Sequence, residues 1–360
     1  DGKVYVVHGQ GTLYLTELNS DVKSVKGKPV KIWQGGFKNA HELGGGFGME
    51  GSHMYRINGK YYITCPAGGT GGWQICLRSD NIYGPYEHKL IMNDWSSYPE
   101  NGLHQGGMVQ LKNGDWWFMI MQDRGPIGRV PCLVPVKWID GWPMLGDEGK
   151  DLITYPKPAT GKKSKIKSPA TTDEFNASQL GLQWQWNHNP DNSRWSLKER
   201  KGYMRLYASQ ASTLKDARNT LTQRVQGPSC EGSVEMEVTG LKDGNIAGFG
   251  IFEFPYAYVA IRQESGRRKI VMCNDGKDIE TVEHFNGDKL WIRVRATDKE
   301  FKALFYYSLD GVNYKRIGNE LQMGLGLPWT ANRFALFNFN TTPQGNNGYA
   351  DFNWFRFTNK

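Results

Sequence analysis

His53-Met54-Tyr55-Arg56-Ile57-Asn58-Gly59-Lys60-Tyr61-Tyr62-Ile63 is the stretch that decides the fold. Two apolar and aromatic runs flank a turn of glycine plus charge, the pattern of a hairpin of short antiparallel strands. The turn recurs at Gly2-Lys3-Val4-Tyr5-Val6 and at Gly114-Asp115-Trp116-Trp117-Phe118, with glycines 57 and 55 residues apart. About ten residues after each turn comes a further strand: Leu13 to Leu18, Trp73 to Leu77, and Val130 to Trp138. A strand also precedes the last two turns, at His53 to Ile57 and at Gly107-Met108-Val109-Gln110-Leu111. Helical periodicity is weak throughout.

Strand, tight turn, strand, loop, strand is the meander of a propeller blade, and its repetition predicts about three blades. Three blades do not close a ring, so the repeat predicts one or more blades upstream of Asp1. The first strand of a blade lines the central channel of a propeller, where ligands bind. Counting nine residues back from the turn glycine gives Glu50 in one blade and Gln105, beside His104, in the next. The same count from Gly2 falls before the first residue.

Composition agrees with an all-β chain. Of 360 residues, 13% are aromatic, with 13 Trp, 17 Tyr and 44 Gly, which suits short strands joined by turns and also flat platforms for sugar rings. The net charge is +8, but the lysines cluster in a polar, Pro-bounded stretch from Lys157 to Lys167. That reads as a solvated linker, and no basic patch interleaved with aromatics points to nucleic acid. Five widely spaced cysteines without a CxxC pair suggest buried thiols and neither a metal knuckle nor a disulfide framework. No apolar run approaches the roughly 18 residues that span a membrane.

These readings divide the chain into a blade region at 1–150, a linker at 151–170 and a second all-β domain at 171–360. In the last, runs such as Gly232 to Val238, Ala257 to Arg262, Leu290 to Arg295 and Ala350 to Phe355 alternate apolar with polar residues. That alternation predicts two packed antiparallel sheets, each with one solvated face.

Glu50 lies between Gly44-Gly45-Gly46-Phe47-Gly48-Met49 and Gly51-Ser52-His53. Glycines on both sides allow close backbone approach and leave a carboxyl exposed at a channel mouth. A carboxylic acid held there among aromatic groups can protonate a leaving oxygen. Glu50-Gly51-Ser52-His53-Met54-Tyr55-Arg56, Ala67-Gly68-Gly69-Thr70, His104-Gln105-Gly106-Gly107, Ile127-Gly128-Arg129 and Asp140-Gly141-Trp142-Pro143 together resemble glycoside hydrolase family 43 in order and spacing. The resemblance implies a five-bladed β-propeller, here in part. Leu182 to Asn187, Ser308 to Tyr314 and Ala350 to Phe355 resemble the concanavalin-like, jelly-roll β-sandwich that follows some propellers of the family.

The resemblance implies that Glu50 is the general acid. It places His104 below a sugar pocket, allowing a structural Ca²⁺ reached through water, though no cofactor is required. It gives Arg129 contacts to substrate hydroxyls, and it makes Phe47 and Trp73 walls of the sugar subsite. Ser52 departs from the family's usual proline. The family's other two carboxylates, a base and an Asp that tunes the acid, are expected upstream, and none of Asp21, Asp80, Asp94 or Asp123 falls in the equivalent register. These 360 residues alone are therefore expected to turn over poorly. The function implied is exo-acting, inverting release of terminal β-xylosyl or α-L-arabinofuranosyl residues from plant cell-wall polysaccharide, by a secreted or periplasmic enzyme. The rival is a catalytically silent carbohydrate-binding propeller with a sandwich module. A loop near Phe252 to Tyr256 is expected to reach the active-site rim.

Overall fold

The computed structural model describes residues 2–39, 42–43, 48–93, 101–150, 154–161, 165, 167–324, 330–343 and 345–360. The chain forms two compact units, one of residues 1–124 and 129–164, the other of 125–128 and 165–360.

In the first unit, β1 (Val4–Gln10), β2 (Thr12–Leu18) and β3 (Val30–Gln34) make a three-stranded antiparallel sheet, and Phe37–Asn39 (β4) pairs with Glu42–Leu43 (β5). Then come two four-stranded meanders. The first is β6 (His53–Ile57), β7 (Lys60–Ala67), β8 (Trp73–Ser79) and β9 (Glu87–Met92). The second is β10 (His104–Gln110), β11 (Trp116–Asp123), β12 (Arg129–Ile139) and β13 (Trp142–Leu145). Every pairing is between chain neighbours, so each sheet is a simple meander, as the repeat predicts. Their inner faces interlock. Leu13, Leu15, Ile63, Cys65 and Ile75 share one core, while Tyr62, Cys76, Met108, Phe118, Ile120 and Trp142 share another.

The two hairpin turns differ, and this corrects the residue count. Asn58 and Gly59 both have positive φ and join Ile57 to Lys60 in two residues, the type I′ geometry that Asn-Gly favours. Between β10 and β11 the connection spans Leu111 to Asp115, because Gln110 pairs with Trp116. A β-bulge between His104 and Gly106 shifts the register again. Glu50 therefore sits in the turn ahead of β6, while His104 and Gln105 lie within β10 itself. The two positions are neighbours in space without being equivalent in register.

Asp140-Gly141-Trp142-Pro143 has a structural role. Asp140 and Gly141 form another positive-φ hairpin turn, and Ile139 pairs with Trp142. Arg78 on β8 donates to the Asp140 carbonyl at 2.9 Å and the Gly141 carbonyl at 3.0 Å, and its guanidinium lies 4.0 Å from the Trp142 ring centroid. Tyr62 adds a hydroxyl bond to Gly141 at 3.0 Å. This motif ties the outer strand of one sheet to the middle strands of the other.

The second unit is a β-sandwich. One sheet runs Gln185–Trp186, Leu221–Arg224, Arg333–Asn340, Asn245–Phe252, Ala257–Glu264, Arg267–Asn274, Lys277–Val282. The other runs Trp195–Ser196, Met204–Tyr207, Tyr349–Asn359, Ser229–Glu237, Lys289–Thr297, Lys302–Ser308, Lys315–Arg316. Val234, Met236, Ile292, Val294, Phe249, Ile251, Leu336 and Phe352 fill the space between them. The second sheet keeps a wet outer face, where Glu231, Glu235, Arg293 and Arg295 alternate with core residues, as the pattern predicts. The first sheet departs from it. Its strand Asn245–Phe252 is buried at every position, because Ala211, Leu214 and Ala217 cover a second cluster of Ile246, Tyr258, Phe337 and Phe339 on its far side. Within this unit Arg224 also donates to the Ile127 carbonyl at 2.9 Å, and the Asn332 amide to that of Pro126 at 2.7 Å.

Candidate active site

Glu50 stands on a turn built for display. Gly48, Met49 and Gly51 all have positive φ, so the chain doubles back twice around the carboxylate, which is exposed. Three contacts fix the turn. Met49 donates its amide to the Pro66 carbonyl at 2.7 Å, Gly11 donates to Gly48 at 2.9 Å, and the Ser52 hydroxyl closes the loop onto the Met49 carbonyl at 2.6 Å. The serine supplies by a hydrogen bond the stiffness that a proline supplies by its ring. Gly48 is required sterically as well, while Gly51 lies close against the end of one side chain. A Cβ on Gly48 would meet the Pro66 carbonyl at 2.8 Å, and one on Gly51 would meet Gln105 Nε2 at 2.7 Å.

That last contact brings β10 beside Glu50. Gln105 has φ of 59° at the bulge, and its amide donates to Gln74 Oε1 at 2.7 Å, a bond from β8 that holds the strained backbone. His104 is 3% exposed. Its Nδ1 lies 3.0 Å from the Gly102 carbonyl, the contact of a ring that carries its proton on Nδ1, and its Nε2 lies 3.9 Å from Asp123 Oδ2. Burial holds the His104 imidazole below its ordinary pKa, against the opposing pull of the Gly102 bond and the Asp123 charge. Arg129 begins β12, donating from Nε to Asp123 Oδ1 at 3.3 Å and from Nη1 to Gln105 Oε1 at 3.4 Å.

Glu50, His104 and Arg129 are thus brought into one polar neighbourhood, joined by Gln105, Gln74 and Asp123. Asp123 is the group the sequence reading passed over. It is 1% exposed, pairs directly across the hairpin from Arg129, and its Oδ2 has no hydrogen-bond partner among the described residues. The available signal was Gln122-Asp123 closing an apolar strand six residues before Arg129, opposite charges flanking one hairpin loop. Trp73 is 8% exposed and lies in the core, its ring so close beneath Gly68 that a Cβ there would meet it at 2.2 Å. Phe47 and Asp94 lie outside the described residues. Asp21 and Asp80 are surface groups, Asp21 bonding the Lys23 amide and Asp80 the Lys60 ammonium.

A calcium ion takes about six to eight oxygen ligands. Among the described residues no group of three or more His, Cys, Asp or Glu is placed to hold a metal, and His104 faces a single carboxylate. These residues do not make a direct, protein-ligated calcium site. Also among the described residues, no helix is long and apolar enough to cross a membrane.

The site sets an exposed carboxylate beside a buried imidazole and a partly exposed guanidinium. A model described as glycosyl hydrolases family 43 matches residues 1–143, and one described as the beta xylosidase C-terminal concanavalin A-like domain matches residues 172–358. The chain belongs to glycosyl hydrolase family 43, with a propeller-type first unit and a concanavalin-like second one. It is 32% identical over 362 residues to a β-xylosidase of Formosa agariphila, a match covering 87% of this chain and 60% of that protein. It is 27% identical to a non-reducing end α-L-arabinofuranosidase of Bacteroides ovatus, covering 99% of this chain and 70% of the relative. A solved bifunctional GH43-CE protein of Bacteroides eggerthii superposes with a TM-score of 0.88 at 38% identity, across 100% of this chain and 47% of that one. The chain therefore spans 60% of the length of the first of these relatives.

Proposed function

We propose that the protein is an exo-acting, inverting glycosidase that releases terminal β-xylosyl or α-L-arabinofuranosyl residues from plant cell-wall polysaccharide, with Glu50 as general acid. The observation that carries this is the turn from Gly48 to Ser52, which holds one exposed carboxylate against the polar group of His104, Gln105 and Arg129. Relatives with xylosidase and arabinofuranosidase names support the substrate class. In this reading the three sheets of the first unit are consecutive blades of a five-bladed ring.

Glu50 gives its proton to the glycosidic oxygen as the bond to the anomeric carbon breaks, while water attacks from the opposite face. The carboxylate that activates that water is not assigned to any residue of this chain. Arg129, anchored on two strands, meets substrate hydroxyls. His104, neutral and buried, forms the floor behind them. Such an enzyme acts outside the cytoplasm, where the polymer is.

The test is turnover of aryl and alkyl β-xylosides and α-L-arabinofuranosides by the full-length protein and its Glu50→Ala variant, with the product anomer read by NMR. Removing a general acid costs about 10²- to 10⁴-fold, and the loss is greatest where the leaving group needs the proton most. Wild-type rates on an alkyl glycoside after Glu50→Ala would remove Glu50 from the mechanism. Binding of xylan without turnover would instead mark a carbohydrate-binding protein, and a retained anomer would exclude inversion.

A further inference from the structure

We propose that Asp123 is the positioning residue for Arg129, a buried carboxylate that aims the guanidinium at the sugar. The proposal rests on the reading above that Arg129 contacts substrate.

Asp123 closes β11 and Arg129 opens β12, and the two are direct cross-strand partners. The Asp123 side chain is 1% exposed and the Arg129 side chain 36%, so the pair runs from the interior outward to solvent. Oδ1 takes the Arg129 Nε at 3.3 Å, and from the other side Gln105 Oε1 takes Nη1 at 3.4 Å. Gln105 is itself fixed by the fully buried Gln74, which accepts its amide at 2.7 Å. Two anchors on separate strands define the plane of a rigid five-donor fork, which a single contact would leave free to turn.

The cost of the arrangement also argues for a purpose beyond stability. Taking a carboxylate out of water is expensive, and a buried ion pair often returns no net stability. Among the described residues the second oxygen, Oδ2, has no hydrogen-bond donor. It faces His104 Nε2 at 3.9 Å, so the same carboxylate borders both groups that line the site.

The experiment compares the full-length protein with Asp123→Asn, Arg129→Ala and the double variant. It uses an aryl β-xyloside and an aryl α-L-arabinofuranoside, with the Arg129 Nε–H resonance recorded by NMR in the absence of substrate. Misplacing a binding group by about 1 Å costs up to about 10²-fold, so Asp123→Asn is expected to lower kcat/KM by about 10- to 100-fold. In the Arg129→Ala background the same change should cost less than about twofold, since its effect runs through Arg129. The Nε–H signal, sharp in the wild type, should broaden or shift toward the solvent-averaged position in Asp123→Asn.

Equal costs in both backgrounds would overturn the proposal, as would a fall in melting temperature with kcat/KM unchanged. An Nε–H resonance unaltered by Asp123→Asn would do the same. Should Asp123→Asn not fold, Gln105→Met removes the other anchor and leaves the buried charge in place, with the same dependence on Arg129 expected. Wild-type protein that turns over neither glycoside counts against the proposed function, while the resonance still decides the positioning role.

Discussion

Replacing Gly72 with alanine tests whether His104 matters to turnover, because the added methyl reaches it directly. The Gly72 backbone has φ of −73°, a conformation any residue adopts, so Gly72→Ala introduces no backbone strain and acts by volume alone. Its Cβ would lie 2.5 Å from the carbonyls of Ala67 and Gly69 and 2.7 Å from His104 Cγ. An ordinary contact begins near 3.4 Å, so the imidazole must yield by about 0.7 Å unless the backbone moves. The two carbonyls belong to the end of β7 and to the short turn before β8, so backbone there must shift together with the His104 ring. Overpacking of this kind costs about 1–3 kcal/mol of stability. A displacement approaching 1 Å in a site group costs up to about 100-fold in rate. Gly72→Ala in the full-length protein is therefore expected to lower kcat/KM on aryl glycosides by about 10- to 100-fold, with a modest drop in melting temperature. In a His104→Ala background Gly72→Ala should cost less in kcat/KM than it does in the wild type, the difference being the part that runs through the ring. A variant within twofold of wild type in kcat/KM, at unchanged melting temperature, would show that the His104 ring is not held where turnover needs it.

Other outcomes follow from contacts described above. Arg78→Ala removes two hydrogen bonds to the Asp140 and Gly141 carbonyls and the stack on Trp142. It should destabilise the first unit by about 2–4 kcal/mol by urea unfolding, while Arg78→Lys, which cannot form the planar fork, recovers only part. His104 is held below its ordinary pKa by burial, so the folded state favours its neutral form. The stability this contributes is present above the unfolded pKa and is lost as pH falls toward the folded one, so wild type should lose more stability than His104→Gln on acidification from pH 7. Burial raises the thiols of Cys65, Cys76, Cys230 and Cys273. A thiol reagent at neutral pH should leave these four unlabelled until the protein is unfolded, and rapid native labelling of any of them would contradict their placement.

The strands were legible in the sequence wherever a single periodicity had one cause. Residues 12–15 and Lys289–Thr297 alternate because one face is packed and the other is not. Asn245–Phe252 was harder to place, since both of its faces are covered and the contrast that marks a strand is gone. The exposed turn of Glu50 is legible because glycines stand on both sides of it. Asp123 falls outside the counted register because it ends β11, the strand after the one that carries His104. Its pairing with Arg129 depends on a hairpin register that a count from glycine does not give, as the unequal turns after Ile57 and Gln110 show. The core packing of the Trp73 ring, close against Gly68, is not readable from the sequence, since a Trp opening a strand after a glycine loop serves a sugar wall as readily.

The doubly covered strands Asn245–Phe252 and Arg333–Asn340 have one further consequence, in hydrogen exchange. Their amides are paired on both sides within the sheet, and apolar clusters close both faces above and below them. No local opening exposes such amides, so they exchange only when the whole unit unfolds. Their protection measures the global stability of the sandwich from inside it. A substitution anywhere in that unit can therefore be sorted by whether these slowest amides respond or only those near the change.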